Sequence, residues 1–231
     1  MARLCPLFSG STGNSYYIGT HAAGVLIDAG RSARQLEGML KLCGIDPLAV
    51  HGILVTHEHT DHVSGLRVFA KKYGVPVFCT PGTLGALGTG AAEFEARPLP
   101  EELGIAGMQV SYFPVSHDCA QPVGYRVHTA DGRTIALATD LGFLSDEVKA
   151  GLLGADLVVL ESNHDVDMRR SGPYPYPLKQ RVLSDRGHLS NAVCAAFLPE
   201  LLQNGTRRFL LGNLSRQNNT PELAVNTALS A

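Results

Sequence analysis

Residues 53–66 read ILVTHEHTDHVSGL, an apolar, β-branched run that opens directly onto His57, His59, Asp61 and His62. Four groups of this kind within six positions restrict what the chain can fold into. Three imidazoles and a carboxylate cannot be taken out of water beside an apolar strand unless something holds them together. Imidazole and carboxylate are the side chains that suit Zn²⁺ and harder divalent ions. The stretch therefore predicts a strand end built around a metal.

Two later strand ends supply further ligands. YFPVSHD sets His117 just past one strand, and IALATDLG sets Asp140 just past another. A carboxylate can bridge two ions, which makes Asp140 the natural shared ligand.

Around these motifs, strand-like runs alternate with helical spacings. RLCPLF, NSYYIG and GVLIDAG read as a meander, and HGILVT as a buried strand. SARQLEGMLKLCG puts Leu36, Met39, Leu40 and Cys43 on one helical face, with Ser32 as N-cap and Gly44 as C-cap. VSGLRVFAKKYG predicts a helix and VPVFC a strand, followed by EFEARPLP, MQVSYFPVSH, PVGYRVHT and TIALATD as strands. The last third alternates SDEVKAGLLG, SNAVCAAFLPELLQNG and TPELAVNTALSA as helices with ADLVVLES and RRFLLG as strands. This order predicts a mixed α/β (α+β) fold, two sheets covered by helices in a four-layer αββα sandwich. With 231 residues, 45% hydrophobic, and no linker or repeat, one domain spanning 1–231 is expected.

Composition excludes several classes. No apolar run approaches a membrane span, and MARLCPLFSGS lacks the apolar core of a secretory signal. The net charge of −2 gives no global pull on a polyanion, so an acidic substrate would need a local basic patch or a metal. Five widely spaced cysteines, never in C-x-x-C, read as reduced thiols of a cytoplasmic protein.

The metal motifs resemble those of the metallo-β-lactamase superfamily over nearly the whole chain. The resemblance implies that His57, His59 and His117 hold one metal and Asp61 and His62 a second, with Asp140 between them. FSGSTGNSYYI, LESNHDVDMRRSGPYPYPLKQRVLSDRGHLSN and LSRQNNTPELA resemble its YycJ/WalJ-like subgroup, near ribonuclease Z and the phosphonate-pathway phosphodiesterases. That subgroup implies two divalent ions, Zn²⁺ or Mn²⁺, a phosphodiester substrate and DNA exonuclease activity, with metal-bound hydroxide as nucleophile and Asp61 orienting it. One departure stands out. The family's last ligand is a histidine, and LLGNLSRQNN has Asn213 there, a weaker donor toward Zn²⁺, so the second ion is expected to bind loosely or be absent. The chain also ends where the subgroup usually continues.

Other residues follow from these motifs. His188 in SDRGHLSN resembles the ribonuclease Z histidine and is assigned to the scissile phosphate or the leaving oxygen. Ser190 and Asn191 open a helix suited to an anion. Ser9 and Ser11 in SGSTGNS offer a small-residue phosphate cradle. Arg170 and Lys179, with Tyr174 and Tyr176 between them, could track a nucleic-acid backbone and stack a base. Asp28 and His164 are read as partners that orient ligands through hydrogen bonds. A small-molecule metallo-hydrolase of cyclic phosphodiesters, thioesters or lactones, or a regulator that lost activity with the last histidine, remains a competing reading.

Overall fold

The computed structural model describes residues 1–171 and 181–231, the side chains of residues 170 and 171 excepted. Strands β1 (Arg3–Phe8), β2 (Ser15–Gly19), β3 (Gly24–Ile27), β4 (Val50–Leu54), β5 (Val77–Cys79) and β6 (Ala96–Pro98) form one sheet in that order. A second sheet takes the order β12-β11-β10-β9-β8-β7. Its strands are β7 (Glu102–Ile105), β8 (Met108–Pro114), β9 (Val123–His128), β10 (Thr134–Ala138), β11 (Leu157–Glu161) and β12 (Arg208–Gly212). The helices are α1 (Ala33–Leu42), α2 (Thr60–Val63), α3 (Leu66–Tyr73), α4 (Pro81–Leu87), α5 (Asp146–Leu152), α6 (Val166–Ser171), α7 (Asn191–Gln203) and α8 (Pro221–Leu229). The expected mixed class of two sheets with helices is what the chain adopts. Among the described residues, no helix is long and apolar enough to cross a membrane.

The chain forms two compact units. The first holds Met1–Tyr112, Cys119–Val123 and Val127–Arg133. Here β1 to β3 run antiparallel, and β3 to β6 are parallel, with Ile27 opposite Leu54 and Leu54 opposite Phe78. Parallel neighbours need a crossover. α1 and α3 provide two of them, burying Leu36, Leu40, Phe69 and Ala70 with Leu26, Ile53, Val55 and Val77 in one core.

The second unit holds Phe113–Asp118, Gly124–Arg126 and Thr134–Ala231. β10, β11 and β12 are parallel, with Leu137 opposite Val159 and Val159 opposite Leu210. Strands buried on both faces read as unbroken apolar runs, which TIALA and LVVL are. Val148 and Leu152 of α5 and Leu198 and Leu201 of α7 pack with Ala136, Val158 and Leu160.

Some boundaries differ from expectation. Ser32 does cap α1, accepting from the Gln35 amide, but Cys43 is the C-cap and Gly44 is the left-handed residue after it, at φ 71°. VSGLRVFAKKYG is not one helix: Ser64 ends α2 and Gly65 caps α3. Only Ala96–Pro98 of EFEARPLP is a strand. The unforeseen β7 pairs with β8 through Ala106 and Gly107, both at positive φ (52° and 73°), the backbone a two-residue hairpin needs. Ala-Gly is a weak turn signal, so sequence patterning passed over it.

Candidate metal centre and active site

In the first unit, β4 delivers Val55 and Thr56 and then the histidine loop. Asp28, directly after β3, sits under that loop with its carboxylate 1% exposed. Its Oδ1 accepts from the Thr56 amide (2.8 Å) and its Oδ2 from the Thr56 hydroxyl (2.9 Å) and His62 Nδ1 (2.8 Å). Burial pushes the Asp28 carboxyl up from its ordinary range, against the pull of the His62 and Thr56 hydrogen bonds. With its own proton given to Asp28, the Thr56 hydroxyl accepts from His57 Nδ1 at 2.9 Å.

This chain of donors decides the tautomers. His57 and His62 each carry their proton on Nδ1, so Nε2 holds the lone pair that a cation needs. Both rings are buried, with centroids 4.0 Å apart, and His59 lies edge-on to His57 at 4.7 Å. His62 Nε2 also lies 3.7 Å from Asp61 Oδ2 and 3.1 Å from Asn14 Nδ2.

Close backbone contacts hold the loop in place. The Asn14 amide donates to the Asp61 carbonyl (2.8 Å), Gly30 to Asn14 (2.9 Å) and Ala29 to His62 (2.8 Å). A Cβ on Gly30 would stand 1.7 Å from the Asp61 carbonyl oxygen, so glycine is required there.

In the second unit, His117 follows β8 and is 5% exposed. Its Nδ1 donates to the Gly187 carbonyl at 3.1 Å, which again leaves the lone pair on Nε2. Burial lowers its pKa, partly opposed by Asp140, and favours the neutral ring that ligates metals. Asp140, past β10, and Asn213, past β12, are buried in left-handed backbone at φ 58° and 51°. Asp28 shares this conformation at φ 61°. Aspartate and asparagine tolerate it best after glycine, and each such turn points a polar group off a strand end.

Glu161, the last residue of β11, joins this half and is fully buried. Its Oε1 accepts from His188 Nδ1 (3.0 Å) and Asn213 Nδ2 (2.7 Å), and its Oε2 from the amides of Leu141 (3.1 Å) and Leu189 (2.9 Å). Asn213 Nδ2 also donates to Asp140 Oδ1 at 2.7 Å. Facing two carboxylates, the amide must present its NH₂. Burial alone would lower His188, but the charge and hydrogen bond of Glu161, then Asp140 and Asp118, outweigh it and hold the ring up to about 9. One ligand atom from each of His117, Asp140 and His188 lies within 4.8 Å of the others.

The Ser9 hydroxyl lies 2.9 Å from the Tyr16 hydroxyl. The cradle read into SGSTGNS has its Gly10, Gly13 and Asn14 amides engaged by Asn14 Oδ1, the Gly10 carbonyl and the Asp61 carbonyl. Ser190, read as a phosphate contact, caps α7 through the Val193 amide. Asn191 donates from its amide to the His164 carbonyl, and its side chain locks with Ser162 and Asn219. His164 is 1% exposed, and burial, then the charges of His188 and Arg169, press it down to about 4. The Arg170 side chain and Lys179 lie outside the described residues. Glu161, Thr56 and Asn14 were not singled out from sequence. For Glu161 the available signal was an acid closing an apolar strand, as in VLID and LATD.

A family model described as a β-lactamase superfamily domain matches residues 24–210. The chain is 40% identical to exodeoxyribonuclease YycJ of Bacillus anthracis, over 94% of this chain and 84% of that one. It is 38% identical to exodeoxyribonuclease WalJ of Streptococcus pneumoniae, over 97% and 86%. The crystal structure of the metallo-β-lactamase fold protein YhfI from Bacillus subtilis superposes with a TM-score of 0.78 at 15% identity, covering 100% of this chain and 93% of that one. The chain therefore belongs to the β-lactamase superfamily, in the group that contains YycJ and WalJ.

Proposed function

We propose that the chain is a metal-dependent phosphodiesterase that degrades DNA from an end, with its two units forming one hydrolase domain. The supporting observation is the common state of three histidines. His57, His62 and His117 are each held at Nδ1 by an acceptor of their own unit, so each presents Nε2. Three nitrogen donors with Asp61 and Asp140 suit Zn²⁺ or Mn²⁺. In this reading His57, His59 and His117 hold one ion, Asp61 and His62 a second, and Asp140 is shared. When bound, such ions supply Lewis acidity, making water nucleophilic near neutral pH and offsetting charge on the phosphate. Identity of 40% to a relative named exodeoxyribonuclease supports DNA as the phosphodiester. The five cysteines form no disulfide with one another, which favours work in the cytoplasm.

The chain's own residues carry the proton traffic. Asp61, part-buried beside His62, orients the attacking water. His188, kept as imidazolium at neutral pH by Glu161, protonates the leaving oxygen. His188→Gln is therefore expected to slow DNA cleavage by about 10²–10⁴-fold. It should slow bis(p-nitrophenyl) phosphate far less, because p-nitrophenolate leaves without a proton. Equal losses on both substrates would remove His188 as the acid.

Asn213 offers N–H to Asp140 and Glu161 where the family has an imidazole lone pair, which weakens the second ion. Asn213→His should raise zinc per chain after dialysis, read by elemental analysis. A wild type already holding two ions, with no gain in the variant, contradicts this.

The whole reading is tested with end-labelled duplex DNA beside bis(p-nitrophenyl) phosphate, each with Zn²⁺ and with Mn²⁺. Stepwise shortening of the DNA supports it. Cleavage of the small ester with DNA left intact replaces it with a small-molecule hydrolase, and no turnover of either with a metal-binding regulator.

A further inference from the structure

A cleft of about 430 Å³ opens within the first unit, and of its lining the metal-centred chemistry above uses only Asp61. Its walls come from the side chains of Ser11, Thr12, Arg31, Ser32, Gln35, Thr60 and Ser64, with the Asp61 carboxylate at one end and no apolar side chain among them. Such a wall suits an oxyanion better than a ring or an alkyl group.

Arg31 is its fixed cation. The stem lies on the Cα of Gly13, where a Cβ would stand 2.7 Å from Arg31 Cδ. The guanidinium carbon sits 5.6 Å from the centre of the Phe8 ring, and Nη2 donates to the Thr12 hydroxyl at 2.6 Å. The remaining fork is not saturated: Nε is buried and meets no hydrogen-bond partner among the described residues. A guanidinium held in this way is preorganised for phosphate, since less side-chain freedom is lost on binding. The N-terminus of α1, capped by Ser32, contributes to the same cleft and adds a positive dipole end. Backbone bonds between the 10–14, 28–31 and 57–65 loops fix this cation beside Asp61.

We propose that this cleft is a second phosphate subsite, in which Arg31 holds a DNA phosphate other than the one being cut. The inference rests on the DNA reading above and adds the group that grips the strand. The phosphate is either a terminal monoester or an internucleotide diester, and both present oxygens to one guanidinium.

The test is fluorescence anisotropy in EDTA, so that binding is read without turnover. A 3′-labelled single strand of roughly 12 nucleotides, with 5′-phosphate or 5′-hydroxyl, is titrated at several salt concentrations. Arg31→Gln should bind about tenfold more weakly, and the salt slope of its affinity should fall by about 0.7. Arg31→Lys should keep the slope and lose part of the affinity, because an ammonium cannot span two oxygens. Arg97→Gln, which removes an exposed arginine paired with Glu95, should bind as wild type does. A loss confined to 5′-phosphorylated DNA assigns the terminal monoester, and equal losses assign the internucleotide phosphate. Arg31→Gln binding like wild type, or a wild type without affinity for DNA, overturns the subsite. Circular dichroism melts that match wild type show that the variants fold. Affinity that depends on Arg31 without cleavage under either metal would sink the nuclease reading and leave the subsite standing.

Discussion

Glu161→Ala is expected to lower the unfolding free energy by about 3–5 kcal/mol. The carboxylate is fully buried and accepts from His188, Asn213 and the amides of Leu141 and Leu189. Alanine leaves four donors facing a cavity, one of them a ring held charged at neutral pH. Urea denaturation of the metal-free protein measures the loss, and a change below about 1 kcal/mol would deny Glu161 its central place. Glu161→Gln should recover part, because its carbonyl still accepts while its NH₂ opposes the neighbouring donors.

The same pair sets a pH dependence. His188 rises from 6.5 to about 9 on folding, so its contribution is complete below 6.5 and lost as pH climbs through 9. Melting temperatures of the metal-free wild type should fall across that window more steeply than those of Glu161→Ala.

The second large effect is on activity. His59→Ala should reduce hydrolysis to the uncatalysed background while the fold persists. His59 occupies the N-cap of α2 but makes no side-chain capping bond there, so its removal costs the helix little. Asp28→Asn provides the graded comparison. It disturbs the acceptor that sets the His62 tautomer and should lower metal affinity or activity by about 10–100-fold. Retained hydrolysis in His59→Ala would place the chemistry elsewhere.

What was legible in the sequence was whatever sits beside its own strand. The places of the histidine loop after β4, His117 after β8 and Asp140 after β10 were legible because an apolar run ended in a ligand-type residue. The role of Asp28 under the loop was legible for the same reason. Glu161 escaped because its partners are remote, with His188 27 residues away and Asn213 52. Local periodicity reports that LVVLE is buried, not which donors meet the terminal acid. Thr56 and Asn14 escaped likewise, since a hydroxyl or amide acquires its role from the ring it touches. SGSTGNS looked like a phosphate cradle because small residues expose amides, yet the Gly10 and Gly13 amides close bonds within the loop and that of Asn14 reaches the Asp61 carbonyl. The departure at Asn213 was visible as a missing imidazole, but its donation to two carboxylates was not.

The proposed metal centre requires His57, His59 and His117 to share one cation. Anomalous diffraction from crystals grown with Zn²⁺, recorded on both sides of the zinc edge, tests it most directly. The expected result is an ion bonded to His57, His59 and His117 together; zinc bound elsewhere, or held by only some of these histidines, would overturn that centre.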